Sequence, residues 1–228
     1  MKIVKNIRNN VMSLYSEDYA NKYRISDEDI KNHESYNSLR DVLTGYFLKK
    51  SENAKIEVLD IGCGTGRYFH LFNGDKIKRF VGIDISPHML KIAMENPPFK
   101  DKINIKNIEL ICDDFLEIKN IGKFDFVYSI GVLGEHTFLN KRVVRHILEY
   151  YLKSGSIFIF TTVCWWYRSW KRRIINNFLK IFNLEKYGKN FFNYDRELYE
   201  YFFDEFEILE FKIWNKEYPH YLMVVKRK

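Results

Sequence analysis

The residues Val58-Leu59-Asp60-Ile61-Gly62-Cys63-Gly64-Thr65-Gly66 restrict the fold more than any other part of the chain. An apolar run ends in an acid and meets three glycines at alternate positions. An apolar stretch from Tyr68 to Phe72 follows. This pattern predicts a strand that turns tightly into a helix. Glycine accepts positive φ there and lets a ligand approach the backbone. Amides at the start of the helix are free to hydrogen-bond. A carboxylate at such a turn suits a nucleoside cofactor.

Two familiar glycine-rich patterns do not fit. The dinucleotide fingerprint G-x-G-x-x-G/A needs a small third residue. Counted from Gly62 that residue is Arg67, and counted from Gly64 it is Phe69. The phosphate loop G-x-x-x-x-G-K-[ST] is absent as well. The next apolar strand, Phe80-Val81-Gly82-Ile83-Asp84, ends in an acid 18 residues past Gly66, and Ser86-Pro87 opens a helix after it. In nucleotide-binding βαβ units an acid at that place accepts from ribose hydroxyls. Glu109 to Phe115 reads as a third strand ending in the pair Asp113-Asp114. Phe124 to Ser129 reads as a fourth, followed by Ile130-Gly131-Val132-Leu133-Gly134-Glu135-His136.

These four motifs, in this order and spacing, resemble the class I S-adenosylmethionine-dependent methyltransferases over roughly residues 55 to 162. Strands are expected near 56–61, 79–84, 108–112, 124–129, 155–161, 205–213 and 219–226, with helices filling most gaps among the first five. Alternating strands and helices imply a doubly wound, mainly parallel α/β sheet. The last two strands read as an antiparallel hairpin. The resemblance implies the strand order 3-2-1-4-5-7-6. It also implies S-adenosyl-L-methionine as cofactor, with S-adenosyl-L-homocysteine as product. Asp60 and the backbone of Gly62, Cys63, Gly64 and Gly66 would then hold the methionine part. Asp84 would take the ribose, with Ile85 beside it. Asp113 would accept from the adenine amino group, the Asp114 amide would reach the ring, and Ser129 would lie on the same rim. Asp is also a common cap and turn residue, and that reading stands beside each of these.

The reaction expected from the resemblance is in-line displacement of a methyl group by an acceptor nucleophile. A base is needed only where the acceptor must lose a proton. His136 is the best-placed candidate, although Glu135 or His136 could equally open or pack a helix. His70 reads as structural, and His220 as a surface or packing residue.

Residues 1–50 read as a mostly helical N-terminal cap, with a helix start favoured at Asp27-Glu28-Asp29. Tyr15 and Tyr23 are candidates to close over the cofactor. Residues 164–203 read as an aromatic and basic insertion after the fifth strand. Within it, 165–182 reads as a basic amphipathic helix with tryptophans at one end. A lid is the favoured reading, with Trp166, Arg168 and Arg172 at the acceptor. Contact with a membrane interface and a homodimer contact are the alternatives. An arginine set of this kind would suit a phosphate or carboxylate, and a solvated face explains it equally well.

At 228 residues the chain suits a single domain. It shows no apolar run long enough to span a bilayer and no signal peptide after Met1. Cys63, Cys112 and Cys164 stand singly, which favours buried thiols over a disulfide or a metal site. These absences together favour a cytoplasmic location. The net charge of +7 fits an anionic partner, but a chain rich in Lys, Asn and Ile reaches it by composition alone. A small-molecule acceptor, methylated on O or N, is the leading expectation. An RNA or protein methyltransferase is the first alternative, disfavoured by the lack of an appended nucleic-acid module. A non-catalytic cofactor-binding or partner-regulating protein of the same fold is the second.

Overall fold

The computed structural model describes residues 15–30, 33–163, 202, 204–214 and 220–228. Two helices come first, α1 (Glu17–Asp29) and α2 (Glu34–Lys50). The remainder alternates around one sheet: β1 (Ile56–Ile61), β2 (Ile77–Asp84), α3 (Pro87–Glu95), β3 (Ile108–Cys112), β4 (Phe124–Ser129), α4 (Lys141–Tyr151), β5 (Leu152–Val163), β6 (Phe206–Trp214) and β7 (His220–Arg227). The seven strands lie in the order β3-β2-β1-β4-β5-β7-β6. The first five run parallel, and β7 pairs antiparallel with both β5 and β6. Fold class and strand order are as the sequence implied.

The central strands are apolar on both faces because both faces are covered. On one side, Tyr36, Leu39, Leu43 and Phe47 of α2 pack with Val58, Phe80, Phe126 and Ile159. On the other, Val144, Ile147 and Tyr151 of α4 pack with Leu59, Val81, Val127 and Phe158. Register places Asp60 between Gly82 and Tyr128, so the acid ending β1 lies level with the strand ends on either side. The starts of α3 and α4 are capped by side chains. Ser86 Oγ accepts from the Met89 amide ahead of Pro87, and Asn140 Oδ1 accepts from the Val143 amide.

Several local expectations are corrected. No α-helix follows the glycine turn. Instead Phe69–Leu71 forms a single 3-10 turn, held by Phe69 N–H to Gly66 O (3.1 Å) and Leu71 N–H to Tyr68 O (3.0 Å). The interval before Asn73-Gly74 is short and rich in aromatics, and it cannot repay the cost of nucleating an α-helix. Burial of Phe69 and Phe72 in the core fixes it instead. The β3–β4 connection likewise holds no helix, so two of the four gaps among β1–β5 contain one. That connection is pinned from α4, where the Tyr151 hydroxyl donates to the carbonyls of Phe115 and of Ile118 (2.9 Å). Asp27-Glu28-Asp29 ends α1 rather than starting a helix, because Asp27 is drawn inward to an arginine. Cys63 is buried as expected. Cys112 is exposed, since β3 is an edge strand. Most of the 164–203 insertion, including Trp166, Arg168, Arg172 and the whole of 165–182, lies outside the described residues. Among the described residues no helix is long and apolar enough to cross a membrane.

Two glycines make opposite predictions. Gly45 is exposed inside α2, with no atom within 4 Å of an added Cβ. Gly45→Ala should therefore stabilise the protein by about 0.5–1 kcal/mol in denaturant unfolding. A Cβ on Gly74 would fall 2.3 Å from the Asn104 carbonyl oxygen. Gly74→Ala should lower the unfolding midpoint clearly, and equal effects of the two changes would contradict this packing.

Candidate active site

The parallel strands deliver their carboxyl ends to one rim, where open α/β sheets hold ligands near the reversal of strand order. A cavity of about 270 Å³ opens there. Its wall includes Gly62 and Gly64 of the glycine turn, Ile83, Asp84 and Ile85 at the end of β2, and Met89 of α3. Asp113 to Glu117 after β3 and Ile130 to Val132 after β4 continue it. His136, Thr137, Phe138, Asn140 and Arg142 close the far side, and Tyr15 and Tyr23 close it from the N-terminal segment.

Asp84 organises the rim. Its Oδ2 accepts from the Gly64 amide (2.9 Å) and its Oδ1 from the Ser86 amide (2.8 Å). Burial raises its pKa, and the two amide bonds work against that rise. A carboxylate oxygen has further lone pairs, so each can still accept from a ligand hydroxyl. The glycine turn above it is compact. The amides of Gly62 and Cys63 both donate to Ile83 O, at 2.7 and 3.0 Å, and the Gly66 amide donates to Cys63 O. These amides are spent within the protein, unlike the free helix-start amides expected from the sequence. Gly62, Gly64 and Gly66 all have positive φ. An added Cβ on Gly64 would meet nothing within 4 Å, so the backbone itself faces open space there.

Asp60 lies behind the turn, buried, and does not line the cavity. The buried Tyr128 hydroxyl is its polar neighbour. Burial pushes the Asp60 carboxyl well above the usual carboxylate range, while neighbouring Tyr128 acts in the opposite sense. Cys63, Gly66 and Ser129 are also set back from the cavity. The Cys63 side chain packs towards Gly82, and the Ser129 hydroxyl donates to Ile61 O (3.1 Å). Asp113 and Asp114 both line the wall. The Asp114 amide, expected to reach a ligand ring, donates to Asp113 Oδ1 (2.8 Å), and Asp114 Oδ1 accepts from the Leu116 amide (3.0 Å). Asp114 thus serves as a turn residue.

His136 stands at the opposite wall, with Nε2 2.8 Å from the Tyr15 hydroxyl. Burial, first, and the nearby tyrosines and carboxylates hold that phenol protonated. Beside it, Glu135 Oε1 lies 2.7 Å from His220 Nε2. Burial raises the Glu135 pKa, but His220 and His136 together outweigh burial and lower it. His220 is therefore a hydrogen-bond partner of Glu135 rather than a plain surface group. His70 lies elsewhere, bonded to Tyr36 (2.9 Å), with burial pushing its pKa down to about 4.

Three residues that the sequence reading passed over join the site from behind. Asp27 of α1 reaches the glycine turn, where it meets Thr65 and Arg67. Arg67 served in the sequence only to break the dinucleotide register. A cation directly after the glycines, and an acid on a preceding helix, were the available signals. The hydrophobic floor of Met89, Phe115 and Val132 carried no separable signal.

A doubly wound sheet of this order, with an acidic rim around a glycine turn, defines the class I S-adenosylmethionine-dependent methyltransferase fold. The comparisons agree. The family described as a methyltransferase domain matches residues 52–222, and the chain belongs to it. The mitochondrial ubiquinone biosynthesis O-methyltransferase of Dictyostelium discoideum is 29% identical over 113 residues, covering 46% of this chain and 35% of that protein. The malonyl-[acyl-carrier protein] O-methyltransferase of Acetivibrio thermocellus is 28% identical over 136 residues, covering 58% and 45%. The match thus spans less than half the length of these two curated relatives. Among solved structures, magnesium protoporphyrin IX methyltransferase from Synechocystis with bound SAH has the same fold, with a TM-score of 0.63. It is 14% identical, over 97% of this chain and 100% of that one.

The turn predicts its own sensitivity. A Cβ on Gly62 would fall 2.2 Å from Val132 Cγ2, at φ +76. Gly62→Ala should destabilise the protein by roughly 2 kcal/mol or more from overpacking and backbone strain. Adding Val132→Ala should recover part of that loss, and denaturant unfolding of the double variant reads the recovery.

Proposed function

We propose that this chain transfers a methyl group from S-adenosylmethionine to an oxygen or nitrogen of a small-molecule acceptor. The observation that carries the reading is that one cavity joins the Asp84 carboxylate and open-faced Gly64 on one wall to the His136–Tyr15 pair on the other. The first wall suits a nucleoside and the second suits a proton acceptor.

The residues present fit the cofactor. Asp84 would accept from the ribose hydroxyls while its amide bonds hold it in place. Asp60, buried behind the turn and set back from the cavity, would act on the methionine ammonium only through the turn, without direct contact. The Gly62 and Gly64 backbone would lie along the methionine part, and Asp113 would accept from the adenine amino group. Carboxylates at positions 84, 113, 114 and 117 make the wall acidic, which favours a cation in the cavity. When bound, the cofactor supplies a methyl already activated on a sulfonium. The protein then has to hold the acceptor in line and keep water out, and positioning can supply much of the rate. His136 would take the acceptor's proton, with Tyr15 fixing the imidazole ring. Glu135 and His220 would hold the loop that carries it. The aromatic faces of Tyr15 and Phe138 favour an acceptor with apolar surface.

Calorimetry with S-adenosylhomocysteine tests the cofactor half. Binding by the wild type, none with NAD, and at least about a tenfold loss in Asp84→Ala are expected. A folded wild-type sample that does not bind would overturn the reading. Labelled S-adenosylmethionine offered to a panel of acceptors tests the other half. With an acceptor found, His136→Ala should lower kcat by about 100-fold or more while cofactor affinity stays within a few-fold. Unchanged kcat would remove His136 from the chemistry.

A further inference from the structure

Behind the glycine turn, Asp27 is the least exposed acid among the described residues, at 0%. Its Oδ2 accepts from the Thr65 hydroxyl (2.5 Å), and its Oδ1 accepts from Arg67 Nε (2.6 Å) and Nη2. The Arg67 guanidinium lies over the Tyr23 ring, 4.8 Å from its centroid, and faces Tyr68 at 5.8 Å. Tyr23 is itself a wall residue of the cavity. A buried ion pair is a poor means of gaining stability, because desolvation consumes most of its attraction. What it gives is a defined geometry, with two arginine nitrogens on one oxygen and a hydroxyl on the other, all directed at one carboxylate.

That geometry falls where the turn has least support of its own. The first half of the turn is tied to β2 through the amides of Gly62, Cys63 and Gly64. The second half, Thr65 to Arg67, has positive φ at Gly66 and is followed by a 3-10 turn in place of an α-helix. It lacks the regular helix that would otherwise stiffen it. Asp27 fastens this half from outside and fastens α1 to it in the same contact. At the other end of α1, Tyr15 reaches His136, and its carbonyl accepts from the Ser86 hydroxyl (3.3 Å).

We propose that Asp27 is a positioning residue. Through Thr65 and Arg67 it docks α1 on the second half of the glycine turn, so that the turn and the Tyr23 wall enclose the cofactor together. The proposal rests on the cofactor reading given above. It predicts that the Asp27 contact governs how long the cofactor stays, beyond any effect on folding.

Asp27→Asn removes the charge at constant volume, and Thr65→Val removes one hydrogen bond at nearly constant shape. Two measurements are made on each variant and on the wild type. One is amide hydrogen exchange without ligand, comparing the segment 62–68 with β4 as an internal standard. The other is the dissociation rate of S-adenosylhomocysteine. Asp27→Asn should speed exchange in 62–68 and cofactor release by about tenfold or more, with β4 exchange unchanged. Thr65→Val should move both in the same direction by less. The proposal is overturned if exchange in 62–68 and cofactor release stay within about twofold of wild type. It is equally overturned if β4 exchange rises in step with 62–68, which would mark general loosening. Should Asp27→Asn fail to fold, the Thr65→Val pair of measurements decides. Should the wild type not bind S-adenosylhomocysteine, the proposed function falls, and exchange in 62–68 alone decides whether the docking contact exists.

Discussion

The carboxylate at the end of β2 is the constraint on which the site depends. Asp84 accepts from the amide of Gly64 on one side and of Ser86 on the other. One acid therefore sets the path of the turn after β1 and the start of α3. The turn can lie so close only because glycines at 62, 64 and 66 accept positive φ and leave no Cβ against Val132 or Phe69. The arrangement is mutually dependent. Without the glycines the acid would keep only Ser86, and without the acid the Gly64 amide would be left unpaired at a partly buried place.

Outward from that point, support comes in layers. The sheet supplies the rim through its strand register. The two faces of the sheet are sealed by α2 and α4, and Tyr151 of α4 reaches across to hold the β3–β4 connection where no helix does. The N-terminal segment bridges the rim, with Asp27 of α1 on the glycine turn and Tyr15, just ahead of α1, on His136. The loop that carries His136 and the glycine turn, which follow different strands, are thereby both tied to the N-terminal segment.

The sequence revealed the sheet well and the connections poorly. β1, β3 and β4 show at their observed bounds because buried parallel strands are short apolar runs that end in punctuation, such as Asp60-Ile61-Gly62 or Ser129 before Gly131. The four rim motifs were legible because each combines a strand end with a residue of special chemistry. The segment after Gly66 looked helical because an apolar run next to a glycine turn fits a helix pattern. Its aromatics instead fill the core from a tight turn. The pairing of Asp27 with Arg67 spans forty positions and carries no periodic signal, and local charge rules misread Asp27 as a helix start. The Glu135–His220 contact escaped for the same reason.

The position of β7 has a consequence for the order of assembly. It lies between β5 and β6, so among the described strands β6 pairs only with one made after it. While a ribosome is still producing residues 206 to 219, the sheet can grow no further than β5, and β6 waits with its backbone groups turned to water. Closure of this half of the molecule is therefore a late step that depends on sequence-distant pairing, of the kind that slows folding and leaves strand edges open to other chains in the interval.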